Sequence, residues 1–248
     1  MFSMAAVPLL LDALARFGVL HGTAALTPSS AVLPLDWPEL ESVLPDHGLP
    51  RGVVEIASPV GKRGALAICK GGATTIALAS VKAAHARDAS AWCAWVTPIG
   101  SRPASRPAAR NGEPMLYAPA VAQAGVDLDR LLVVRPPHAA LSRTIVKVAA
   151  AGAFDLVVVD AIADLESRHA KTSKSEMIVR KLALASEERG TTCILLTNAY
   201  VPRTVAWPVA LRLEVERRAG SLAVRVTKDR RGRASSSHVV RLASALSA

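Results

Sequence analysis

Between residues 151 and 165 the sequence AGAFDLVVVDAIADL sets a small-residue turn ahead of four consecutive apolar residues, Leu156 to Val159, and closes them with Asp160. An unbroken apolar run of this length predicts a strand buried on both faces of a parallel sheet, because a strand with one wet face alternates. Ligands of open α/β sheets bind outside the carboxyl ends of the strands, so Asp160 stands either at a site of chemistry or as the cap of the following turn. GVVEIAS at 52–58, AWCAWVT at 91–97, Leu131 to Arg135 and TTCILLTN at 191–198 predict four further strands.

Apolar residues at helical spacing separate these runs. The Ala-rich stretch from Thr74 to His85 predicts a helix with a rough face of Ile76, Ala79, Val81 and Ala83. Leu141, Ile145 and Val148 mark a second helix, and Ile178, Leu182 and Ala185 a third that stops at Arg189-Gly190. Residues 164–175 read as charged and non-regular. Near the end the pattern changes to strict alternation, Leu211, Leu213, Val215 and then Leu222, Val224, Val226 around Ala219-Gly220, which is a hairpin signal. VVRLA near 239 adds a last short strand. The whole predicts an α/β fold: a mainly parallel central sheet flanked by helices, with a C-terminal antiparallel β-hairpin.

Residues 1–34 read as an N-terminal helix, over 5–20, and a proline-punctuated lead-in; residues 35–248 read as the core domain. Asp12 and Arg16 interrupt the apolar opening and no basic residue precedes it, which predicts an amphipathic helix and neither a signal peptide nor a membrane span. The Pro/Arg/Ala stretch 98–114 lacks apolar periodicity and predicts a flexible insert.

Composition sharpens the picture in two places. The 248 residues, 51% apolar, exclude general disorder, and the formal charge of +10 favours an anionic partner such as DNA. The excess sits at the C-terminal end, where Arg217, Arg218, Lys228, Arg230, Arg231 and Arg233 are the candidate interface; the alternative is that they guard a sheet edge against strand-to-strand aggregation. Three widely spaced cysteines suggest neither a disulfide framework nor a metal site, which fits a cytoplasmic protein.

After the strand at 52–58 comes SPVGKRGALAICKGGATT, where a phosphate-binding loop is to be sought. Gly61-Lys62 is followed by Arg63 where Ser or Thr is needed, and Gly72-Ala73-Thr74-Thr75 has Ala73 where the lysine is needed. Neither fits G-x-x-x-x-G-K-[ST]. The vestigial nucleotide-site candidates are Lys62, Gly72, Thr74, Thr75, Asp160 and Asn198, against an ordinary strand-to-helix connection.

Five collinear pieces, GLPRGVVEIASP, AGVDLDRLLVVRP, AGAFDLVVVDAIADL, TTCILLTN and the ALRLEVERR/LAVRVTKDR hairpin, resemble the RecA superfamily core over roughly residues 35–242. The chain is most similar in type to the shortened RecA-like ImuA group of DNA-damage proteins. The resemblance implies that Asp160 is the Walker B acid, that Asn198 occupies the polar sensor position, and that Lys228 and Arg230 match the basic pair that reaches a neighbour's nucleotide in RecA filaments. The sequence departs from recombinases at the phosphate-loop lysine, at Val60 in place of the water-activating glutamate, and after Asn198, where only PRTVAWPV precedes the hairpin in place of a long DNA-gripping loop. The C-terminal DNA-gathering domain is expected to be absent.

The expectation is therefore a RecA-like, non-hydrolytic accessory protein of the bacterial DNA-damage (SOS) response. It would act in repair, recombination or error-prone translesion synthesis by docking partner proteins, with weak DNA binding, no required cofactor and no metal. Two alternatives stand beside it: a recombinase-like ATPase binding ATP and magnesium through Lys62 or Lys70 with Asp160, and a cell-division inhibitor built on the same core. The partner and the oligomeric state have no sequence signal.

Overall fold

The central strand β3 (Gly52–Ser58) is buried at every position and is hydrogen-bonded on both sides, which is why its sequence shows no alternation. The computed structural model describes residues 32–59, 72–99, 116–160, 172–200 and 207–242, all within one unit that starts at Val32. The N-terminal helix expected over 5–20, Lys62, Lys70 and residues 100–114 of the insert lie outside the described residues.

Two short strands, β1 (Val32–Leu33) and β2 (Leu49–Pro50), pair antiparallel around a one-turn helix α1 (Pro38–Glu41) and a 3₁₀ turn at Pro45–His47. After β3 come α2 (Ala73–Arg87), β4 (Cys93–Val96), α3 (Ala118–Gln123), β5 (Leu131–Val134) and α4 (His138–Ala150). The chain continues through β6 (Leu156–Val159), α5 (Thr172–Arg189), β7 (Thr192–Asn198), β8 (Leu211–Arg218), β9 (Ser221–Asp229) and β10 (His238–Arg241). In the eight-stranded sheet the order is β10-β9-β8-β3-β7-β6-β4-β5. The six strands from β5 to β8 in that order run parallel, and the β8–β9 hairpin and β10 add antiparallel pairs. The α/β architecture, the mainly parallel sheet and the terminal hairpin are as the sequence predicts.

Alternation along the strands splits the core in two. Val54, Ile56, Leu156, Val158, Ile194 and Leu196 point to the face covered by α2, where Ile76, Ala77, Val81 and Ala84 meet them. Val53, Val157, Val159, Cys193 and Leu195 point to the other face, under Leu141, Ile145 and Ala149 of α4 and Ile178, Val179 and Leu182 of α5. Each such Val, Leu or Ile contributes about 1.5–3 kcal/mol by leaving water.

Three expectations need correction, and one helix goes unannounced by the sequence. Helix α5 begins at Thr172, so residues 172–175, read as non-regular, are helical, and Ser175 is already buried. The stripe of Ile178, Leu182 and Ala185 marks only the part of that helix lying on the sheet. Helix α3 has no sequence signature because it buries Val121 alone among its six residues, which leaves no period. Ile99, assigned to the insert, is tied to the sheet: its N–H donates to the Pro136 carbonyl at 3.0 Å. Finally, the hairpin is an edge only in part: β10 pairs along β9 from His238↔Val224 to Arg241↔Ser221, which covers Ser221–Val224, while Arg225–Asp229, with Lys228, has no strand partner on that side among the described residues.

The β10 edge is itself held from the N-terminal side. Trp37, fully buried, donates its indole N–H to the Arg241 carbonyl at 3.1 Å, and the Arg241 N–H donates to Glu39 Oε2 at 2.8 Å.

Candidate functional site

Three strands end in polar side chains that share the α2 face: Ser58 on β3, Asn198 on β7 and Asp160 directly after β6. Ser58 and Asn198 are register partners, whereas Val159 pairs with Leu195, so Asp160 lies two residues deeper than Asn198 along the strand direction. The Asp160 N–H donates to the Val96 carbonyl at 2.8 Å, which fixes the acid between β4 and β6, two strands whose next described helices, α3 and α5, pack on opposite faces of the sheet. Such a parting point is where open α/β sheets bind ligands. Asp160 is half-buried and its Oδ1 is enclosed, so the carboxyl group is less solvent-facing than a turn cap. Asn198 also serves the local backbone, since its Oδ1 accepts the Tyr200 N–H at 3.0 Å and closes the turn after β7.

Helix α2 starts on the same face. Gly72 caps it with φ 101°, a left-handed conformation that a side chain resists. A Cβ there would lie 2.5 Å from Leu222 Cδ2 and 3.1 Å from Val215 Cγ1, so the hairpin closes directly over the helix start. Ala73 is fully buried, and Thr74 and Thr75 are half-buried in the first turn. Gly72, Thr74, Thr75, Asp160 and Asn198 thus fall on one side of the sheet; Lys62 lies outside the described residues.

A second polar group, which sequence reasoning missed, sits on the opposite face. Glu55 is 1% exposed in the middle of β3. Its Oε1 accepts the Thr197 hydroxyl at 2.9 Å, and its Oε2 lies 3.7 Å from Arg212 Nη1, across the β3–β8 pairing. Arg212 Nη2 lies 3.7 Å from Glu214, and Glu214 in turn takes a short ion pair from Arg225. The single acid inside GVVEIAS is the one sequence signal for this group.

The basic residues of the hairpin are mostly engaged. Lys228 Nζ donates to the Trp207 carbonyl at 2.6 Å, and Arg230 Nη2 to the Arg51 carbonyl at 3.1 Å. Arg218 pairs with Glu216 at 3.4 Å. Arg231 and Arg233 converge on Asp46, whose carboxyl the Arg233 hydrogen bonds and both guanidinium charges hold down to about 2. Arg217 is exposed on β8. The six do not form one uniform surface.

Both described cysteines are buried, and burial pushes the Cys93 and Cys193 thiols up to about 12, which makes them inert as nucleophiles. Among the described residues there is no group of His, Cys, Asp and Glu able to hold a metal, and no helix long and apolar enough to cross a membrane. No family model matches this chain, and no curated protein matches it.

Proposed function

We propose that this protein is a RecA-like, non-hydrolytic accessory factor of the bacterial DNA-damage response, which docks proteins of repair or translesion synthesis and binds DNA weakly. The observation that carries the reading is the start of α2. A helix N-terminus, a strand-end acid and a strand-end amide share one face of the sheet, as a nucleotide site requires, yet the first helical residue is the buried methyl group of Ala73. Phosphoryl transfer works by placing positive charge and a metal around the γ-phosphate, and an alanine at that position supplies neither.

The decisive experiment is titration of the purified protein with a fluorescent ATP analogue, with and without magnesium. The accessory reading expects no saturation in the micromolar range, and recovery of repair or polymerase proteins by pull-down from DNA-damaged cells. Saturable, magnesium-dependent binding would replace it with the ATPase reading. That rival draws its support from Ser58, Asp160 and Asn198, which end their strands on the face of the sheet that α2 covers.

A further inference from the structure

Asp46 and His47 are consecutive non-glycine residues in the left-handed region, with φ 60° and 57°, which Asp and His enter more readily than most side chains but which is uncommon for two in succession. What holds this strap is the turn after β9. Arg233 clasps Asp46 fork to fork, Nη1 to Oδ1 and Nη2 to Oδ2 at 2.8 Å each, while its Nε donates to Asp229 at 2.7 Å. Arg231 Nη1 donates to both Asp46 oxygens, at 3.2 and 3.3 Å. Asp229 additionally receives the Arg231 and Arg233 backbone N–H groups, which fixes the turn.

Two guanidiniums around one carboxylate, one of them bidentate, form the arrangement in which arginine takes a phosphate. The turn carries Arg230, Arg231 and Arg233 against Asp229, an excess of positive charge that one Asp46 does not cancel. The cluster is also open to water: the side chains of Arg231, Arg233 and Asp46 are 64%, 42% and 39% exposed. Exposed ion pairs add little stability and are screened by salt, so an incoming anion can exchange with the carboxylate.

We infer that Arg231 and Arg233 form a phosphodiester-binding site for nucleic acid, and that Asp46 occupies it as an internal stand-in until a DNA phosphate displaces the strap. This rests on the DNA-binding part of the proposed function and adds the site and its control to it. Asp46 then works against binding, and the unbound chain presents less positive charge than its composition suggests.

Asp46→Asn tests this, because asparagine keeps the size and tolerates the left-handed backbone while removing the charge. On a labelled oligothymidylate of about 20 nucleotides in about 50 mM salt, the variant should bind about tenfold tighter than the wild type, with a salt slope steeper by about 1.4 units for two freed contacts. Adding Arg231→Gln and Arg233→Gln should abolish the gain. Equal binding by wild type and Asp46→Asn overturns the latch and leaves DNA binding intact. No binding by either overturns the latch and the DNA-binding reading together, while the pull-down still tests protein docking. A lower melting temperature without a gain in affinity makes Asp46 a structural staple only. An equal gain toward polyglutamate, with none toward the oligonucleotide, overturns the assignment to nucleic acid.

Discussion

Glu55 and Arg212 face each other as register partners across the β3–β8 pair, their charged groups 3.7 Å apart, with Glu55 closed off from solvent. Removing one charge of a buried pair weakens the compensation of the other, at a cost of about 3–5 kcal/mol, whereas replacing both by uncharged groups is close to neutral. Arg212→Met should therefore lower the unfolding free energy in urea by that amount. Glu55→Gln combined with Arg212→Met should recover most of it, since glutamine still accepts the Thr197 hydroxyl. A double variant as unstable as Arg212→Met would show that the charges themselves are not the issue.

Gly72 presents the sharpest steric limit. Alanine there is opposed both by the positive φ and by Leu222 at 2.5 Å, so Gly72→Ala should destabilise by about 2 kcal/mol or more. Leu222→Ala in the same chain should relieve the steric part and leave the backbone part, which a denaturation series separates.

Catalysis offers a plain check. In a DNA-stimulated ATPase assay the wild type and Asp160→Ala should both stay at background. Turnover above background that disappears with Asp160 would overturn the non-hydrolytic reading.

His85 sets an acid limit on the fold. It is buried in the last turn of α2, where desolvation first and the Arg130 charge second hold its pKa below the ordinary 6.5, with opposing pulls from an Arg130 hydrogen bond, Asp127 and Asp155. The unfolded chain takes up the proton first, so the contribution is full above pH 6.5 and falls as pH drops from there toward the folded value. Asp46 and Asp229, whose pKa values are lowered, lose theirs further down, below 3.8 and, for Asp46, near pH 2. Melting temperature followed from pH 7.5 to pH 5 should fall in the wild type and flatten in His85→Gln.

Lys228 is a structural cation before it is a DNA contact. It is half-buried on the Trp207 carbonyl, and a hydrogen bond to a charged group contributes about 1.5–3 kcal/mol. Lys228→Met should lower stability by roughly that amount while leaving oligonucleotide affinity near wild type; fluorescence anisotropy and urea titration report the two separately.

The sequence displays those parts of the fold that depend on near neighbours. Leu156 to Val159 announces a doubly buried strand because both its faces are covered, and Leu211, Leu213 and Val215 announce a hairpin with a single apolar face in each strand. The order of the strands has no such local sign: β3 lies between β7 and β8, both of which come more than a hundred residues later in the chain. The same holds for the polar pairs. Nothing around Glu55 marks Arg212 as its partner, and nothing around Asp46 marks Arg233, since 187 residues separate the two. Among the candidate site residues, Asp160 is visible as the acid closing an apolar run. The engagement of Lys228, Arg231 and Arg233 is hidden, because a basic run looks the same whether its charges are free or clasped.

The placement of β3 has a consequence in time. Its two flanking strands are Thr192–Asn198 and Leu211–Arg218, so a chain leaving the ribosome carries this fully buried strand for well over a hundred residues before either neighbour exists. Contacts of such sequence separation form late and leave strand edges open meanwhile. Synthesis of this protein in the cell should accordingly lean on holding chaperones until the hairpin has emerged.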